Sequence, residues 1–89
     1  MARRTLDIVN EKGLHARASA RFAEVVERFD ARATVSKDGL DASGDSIMGL
    51  LMLAAHRGTA VAVETEGPEA DALIEALAAL VADRFGEPM

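Results

Sequence analysis

His15 and Arg17 stand two residues apart, in Gly13-Leu14-His15-Ala16-Arg17, and are the pair in this chain whose types and spacing suit group-transfer chemistry. An imidazole nitrogen can accept and release an electrophilic group near neutral pH, because its lone pair is available there. A guanidinium is always charged and offers forked donors that match phosphate oxygens. After His15, apolar residues fall at Ala18, Phe22, Val25, Val26 and Phe29, the spacing of one helical face. Before it, Thr5-Leu6-Asp7-Ile8-Val9 alternates as a half-buried strand does, and Asn10-Glu11-Lys12-Gly13 reads as a loop. The imidazole therefore belongs at a helix N-cap, where the first backbone N–H groups are unpaired and the helix dipole is positive. Such an end accommodates an anion. The chemistry implied is a histidine that carries a phosphoryl group, supported by the N–H groups of Ala16 and Arg17. The plain alternative is that His15 only caps the helix.

The other reactive residues have simpler explanations. Ser46 precedes an apolar run and is a favoured N-cap, although Asp45 is an alternative cap. His56, with Arg57 and Gly58, reads as a cationic end to that second helix. With no cysteine and two distant histidines, neither a metal site nor a cofactor is expected.

The elements that must position these residues follow from patterning. A first strand over roughly residues 3–9 leads to a helix over about 16–28. Ala33-Thr34-Val35-Ser36 and Leu40-Asp41-Ala42 flank Asp38-Gly39, a two-residue hairpin turn that requires positive φ. A short helix runs from Ile47 to about Ala55, with Gly58 placed to end it. Thr59–Thr65 is the last strand. Pro68 then opens a final helix at its first position, buries Leu73, Leu77, Leu80 and Val81, and ends at Gly86 and Pro88. Ile47-Met48-Gly49-Leu50-Leu51-Met52-Leu53 is apolar almost all round, yet a short helix over a sheet edge must leave one side in solvent. Its two methionines suit an adaptable contact surface. Strands with helices on one face make an α+β open-faced sandwich, and residues 1–89 are expected to form one domain.

The Gly-Leu-His-Ala-Arg segment, followed by Asp45-Ser46-Ile47-Met48-Gly49-Leu50 in a chain of 89 residues, resembles the histidine-containing phosphocarrier (HPr) family of the phosphoenolpyruvate-dependent phosphotransferase system. The resemblance implies a four-stranded antiparallel sheet of order 1-4-2-3 under three helices. It also implies a relay in which His15 accepts a phosphoryl group on Nδ1 from enzyme I and donates it to an enzyme IIA, with Arg17 as the active-site arginine. By the same likeness, Ser46 matches a serine that an HPr serine kinase phosphorylates, and Ile47, Met48, Leu51 and Met52 match the partner-docking face. Three positions depart from the family pattern. Asp45 stands where kinase-regulated members carry a basic residue, and would repel a phosphate on Ser46, so regulation there stays open. Ala18 replaces a common proline. Glu24 and Glu27 replace lysines of carbohydrate-system members, which points to altered docking electrostatics and leaves a nitrogen-related branch, without sugar transport, as an alternative.

Composition narrows the classes further. At 49% hydrophobic and 28% charged residues the chain is globular. A net charge of −5 and the absence of Tyr and Trp argue against nucleic-acid binding. Met1-Ala2-Arg3-Arg4 leads into no apolar core of a secretory signal, and the apolar run Ile47–Ala55 is too short to span a bilayer, so a cytoplasmic monomer without membrane insertion is expected. There is no nucleophile–base–orienter set or Gly-rich phosphate loop, so a carrier is favoured over an enzyme. A small α+β interaction module is the remaining alternative.

Overall fold

Alternating side chains build one apolar face on every strand. In β4 (Ala60–Glu66), Val61, Val63 and Thr65 are buried while their neighbours face outward; in β2 (Arg32–Lys37) the inward residues are Ala33 and Val35, and in β3 (Leu40–Ser43) Ala42. β1 (Ala2–Asp7) contributes Leu6, and Ile8 continues its face. These strands form an antiparallel sheet of order β1-β4-β2-β3, with Leu6 opposite Val61 and Val35 opposite Val63. The order agrees with the one implied by the family resemblance. A computed structural model describes residues 1–88.

Three helices cover the apolar face: α1 (Ala16–Glu27), α2 (Ile47–Met52) and α3 (Ala70–Ala82). α1 buries Ala18, Phe22 and Val26 of the stripe that its spacing predicts, together with Ser19 and Ala23, while Val25 and, just past the helix, Phe29 are only half-buried. α3 buries Leu73, Ile74, Leu77 and Val81. Leu80, expected in the core, is only half-buried, and Ile74 takes an inward position instead. The β2–β3 turn holds Asp38 at φ 51° and Gly39 at φ 82°, as a two-residue hairpin of this hand requires.

Three helix boundaries differ from the sequence expectation: the end of α2, the start of α3, and the end of α3, which stops at Ala82 instead of running to Gly86. α2 ends at Met52 rather than near Ala55, because Ala54 adopts φ 52° and turns the chain back. That reversal buries Ala55 and aims its carbonyl at Leu14 N–H, 2.8 Å away. Gly58 therefore does not stop the helix; its N–H donates to Ile8 O at 3.0 Å in the turn entering β4. α3 starts at Ala70 with Glu69 at its cap, so Pro68 lies just before the helix. The Glu69 side chain does not cap α3 and instead accepts the Asp30 N–H at 2.7 Å.

Beyond α3 the chain makes a tight turn, Arg84–Gly86, in which Arg84 and Phe85 both have φ 55°. Left-handed backbone at a non-glycine residue costs about 1–2 kcal/mol. Complete burial of the Phe85 ring, worth about 1.5–3 kcal/mol, offsets part of it. The turn sends the segment after Gly86 across the start of α1.

Candidate phosphoryl-carrier site

The local chain dictates where His15 sits. Gly13 has φ +66°, and a Cβ there would lie 2.6 Å from Ala55 O and 2.7 Å from His56 Cα. Only glycine lets the loop before α1 pass this close to the segment after α2. Leu14 is buried, its N–H is held by Ala55 O, and Ser19 Oγ donates to its carbonyl at 3.2 Å. These contacts fix the residue before the helix.

His15 is the N-cap of α1, with extended backbone (φ −76°, ψ −176°), and its Nδ1 accepts the Arg17 N–H at 3.2 Å. The opposite ring nitrogen, Nε2, is in hydrogen-bond contact with the Glu87 carboxylate. Both partners are informative about the proton. Arg17 N can only donate and an ionised carboxylate can only accept, so the neutral ring carries its proton on Nε2 and its lone pair on Nδ1. Glu87 itself is held by Asn10, whose Nδ2 donates to Glu87 Oε1 at 3.0 Å and to Gly13 O at 2.8 Å. Burial pushes the Glu87 carboxyl up. The hydrogen bonds from Asn10 and His15, with the charges of His15 and Lys12, outweigh that and hold it below its ordinary value.

Glu11, Lys12, His15, Arg17, Glu87 and Pro88 line one small cleft. The Arg17 guanidinium is in no ion pair among the described residues, so it is available to an anion at Nδ1. Ala16 and Arg17 supply the first backbone N–H groups of α1 at the same spot. A separate cleft, lined by Val26, Arg32, Ser43, Asp45, Glu64 and Glu66, contains no histidine beside a helix N-terminus.

The second motif also lies at a helix start. Ser46 is the N-cap of α2, and its Oγ accepts the Gly49 N–H at 3.0 Å. Asp45 is not the cap; its carboxylate accepts from Ser43 Oγ. Leu50 and Leu53 are buried beneath the helix, whereas Ile47, Met48 and Met52 are 42%, 69% and 74% exposed and Leu51 is half-buried. The helix thus divides into a core side and an apolar solvent side.

His56 does not cap α2, as the sequence expectation had it. It lies beyond Ala54 on the exposed return segment, where its Nδ1 approaches the Ala54 carbonyl at 3.4 Å. Among the described residues no group of acidic, His or Cys side chains could hold a metal ion, and no helix is long and apolar enough to cross a membrane.

Sequence reasoning missed Asn10 and Glu87. The available signal was Phe85-Gly86-Glu87, an aromatic residue just past a helix end that must be buried and so pulls the following acid onto the molecule.

Residues 2–83 match the family described as the PTS HPr component phosphorylation site. The phosphocarrier protein HPr of Cupriavidus necator is 44% identical, over 98% of both chains. The phosphocarrier protein NPr of Shewanella violacea is 39% identical, over 94% of this chain and 92% of that protein. Among solved structures, a crystal structure of HPr from Thermoanaerobacter tengcongensis superposes with a TM-score of 0.95 at 35% identity, covering both chains completely.

Proposed function

The chain belongs to the HPr family of phosphotransferase-system phosphocarriers, and from that premise we propose that Nδ1 of His15 takes a phosphoryl group from phospho-enzyme I and passes it to an enzyme IIA. The observation that carries this reading is the Nδ1 lone pair, directed at the N-terminus of α1 in a cleft shared with the Arg17 side chain, which makes no ion pair among the described residues. For transfer the Arg17 N–H leaves Nδ1. The same N–H, with that of Ala16, then faces the phosphoryl oxygens, and the guanidinium adds forked donors. Exposed contacts of this kind contribute about 1 kcal/mol each, enough to hold a group that must be handed on and too little to trap it.

Ile47, Met48, Leu51 and Met52 form the docking face of this reading, since exposed apolar side chains next to the carrier loop have something to gain from a partner. Ser46 is the regulatory position. Its phosphorylation would place about two negative charges among those side chains and beside Asp45. A cytoplasmic monomer without a cofactor suits a protein that must meet successive partners.

A second reading concerns only the acceptor. Glu24 and Glu27 are exposed on α1, with Glu24 paired to Arg28 at 2.6 Å, and the likeness to an NPr favours a nitrogen-related enzyme IIA. Incubation with enzyme I, phosphoenolpyruvate and Mg²⁺ should yield an acid-labile adduct. No adduct would leave a capping histidine in an interaction module. Chasing the adduct with a nitrogen-type and a sugar-type enzyme IIA then ranks the acceptors by rate.

A further inference from the structure

Two cations share the His15 cleft, and the second, Lys12, is exposed and lies outside every helix and strand. Its backbone is nonetheless fixed on both sides. Gly13 N–H donates to Asn10 O at 3.2 Å, closing a tight turn, and the buried Asn10 side chain donates to Gly13 O at 2.8 Å. Gly13 in turn is pressed against Ala55 and His56. Only the four-carbon stem of Lys12 is left to move, and it lines the same cleft, of about 260 Å³, as His15 and Arg17. Burial pushes the Glu87 carboxyl up. The charge of Lys12 is among those that, with hydrogen bonds from Asn10 and His15, hold it below its ordinary value, so the ammonium faces the cleft. Lys12 makes no ion pair among the described residues.

The charges of the cleft give this lysine a task. Glu11 and Glu87 face Lys12 and Arg17, so beside a neutral ring the four cancel. Without Lys12 the two carboxylates would face one guanidinium. A phosphoryl group, bringing roughly −1.5 to −2 of charge, would then enter a cleft that is already negative. We infer that Lys12 is the second cation of the phosphoryl relay: its ammonium reaches the phosphoryl oxygens on Nδ1 of His15 as a mobile point charge, while Arg17 grips them as a fork. The inference rests on the carrier reading and adds to it a residue outside the His15–Arg17 motif.

The two cations differ in kind. Arg17 is carried by the first turn of α1 and offers a planar fork, whereas an ammonium on a flexible stem binds oxygen without demanding one geometry. That suits a group that has to move. In uptake, the Nδ1 lone pair of neutral His15 forms the N–P bond, and the donor on enzyme I keeps the electron pair of the bond that breaks. In handover, the acceptor bonds phosphorus and the pair returns to Nδ1. Lys12 keeps its protons in both steps and follows the phosphoryl oxygens within the reach of its stem.

The test uses the intact chain beside Lys12→Met, which keeps a stem and removes the charge, and Lys12→Arg, which keeps the charge. Each is labelled with enzyme I, Mg²⁺ and phosphoenolpyruvate, and the ³¹P resonance of the phosphorylated chain is followed against pH. A nearby cation favours the dianion, so the second phosphoryl proton should leave about half a pH unit higher in Lys12→Met than in the native chain. Lys12→Arg should titrate close to native. At equilibrium with enzyme I, the phosphoryl group should favour the native chain about threefold more than Lys12→Met, the scale of one exposed charge contact. A ³¹P titration that Lys12→Met leaves in place, or that Lys12→Arg displaces as far as Lys12→Met does, overturns the inference. If the native chain takes up no phosphoryl group, the carrier reading itself fails; a native chain that labels while the titration stays put sinks the inference alone.

Discussion

His15 and Ser46 both stand just before a helix with extended backbone, and both side chains accept a backbone N–H two or three residues on. Their surroundings differ. Around His15 most of the cleft is charged: the ring is gripped at both nitrogens, and Glu11, Lys12, Arg17 and Glu87 share its walls with Pro88. Ser46 is bonded at its Oγ to one N–H, and the residues that follow it put methionine, isoleucine and leucine side chains into solvent. The same capping geometry therefore serves a reactive centre in one place and the edge of an apolar surface in the other. A helix start alone does not make a site; what the rest of the fold brings to it does.

The contrast can be broken most severely from the His15 side. Phe85→Ala removes a fully buried ring and should cost about 3–5 kcal/mol in urea unfolding. It should also release Glu87 from His15, seen as a shift of the His15 ring resonances. A loss under 1 kcal/mol would mean that the tail is not anchored there. On the other side, Met48→Asp should slow phosphoryl uptake at least tenfold, about 1.4 kcal/mol, because a desolvated carboxylate is costly at an interface. Its unfolding free energy should stay within about 0.5 kcal/mol of native, since Met48 is 69% exposed. Unfolding of this variant would instead assign Met48 to the core.

Smaller effects sharpen the comparison. Ser46→Ala removes a cap bond and should destabilise by about 1 kcal/mol in the same urea titration. No change would show that the Gly49 N–H is served equally well by water. Acid should act on the His15 site alone. Because the Glu87 carboxyl is held below its ordinary value, the tail contact is complete above 4.5 and is lost as pH falls through the lowered value. Protection of the Glu87 amide, taken relative to the intrinsic exchange rate at each pH, should fall in that window while that of Gly49 stays flat. Equal acid sensitivity at both would remove the distinction.

Much of this arrangement was legible in the sequence, and the limits have physical causes. Period-two and helical spacing located the four strands and the first and last α-helices, and an N-cap before an apolar run marked α2. The Asp38-Gly39 turn was readable because few residue pairs accept its backbone, whereas the Arg84–Gly86 turn was not foreseen. The strand order needed the family resemblance, since periodicity fixes faces and not neighbours. α2 ended early because the chain turned back at Ala54 and brought the Ala55 carbonyl to the Leu14 N–H, a contact between segments far apart in sequence. His15 and Arg17 could be found because they lie two residues apart in one motif. Asn10 and Glu87 could not, because their meeting depends on how α3 ends and on where Phe85 is buried.

The central claim is that His15 carries the phosphoryl group, and the most direct measurement is site-resolved labelling. Native chain, His15→Ala and His56→Ala are each incubated with enzyme I, Mg²⁺ and ³²P-labelled phosphoenolpyruvate, and acid-labile label is counted. Native and His56→Ala should label equally and His15→Ala not at all; label retained by His15→Ala would contradict the account.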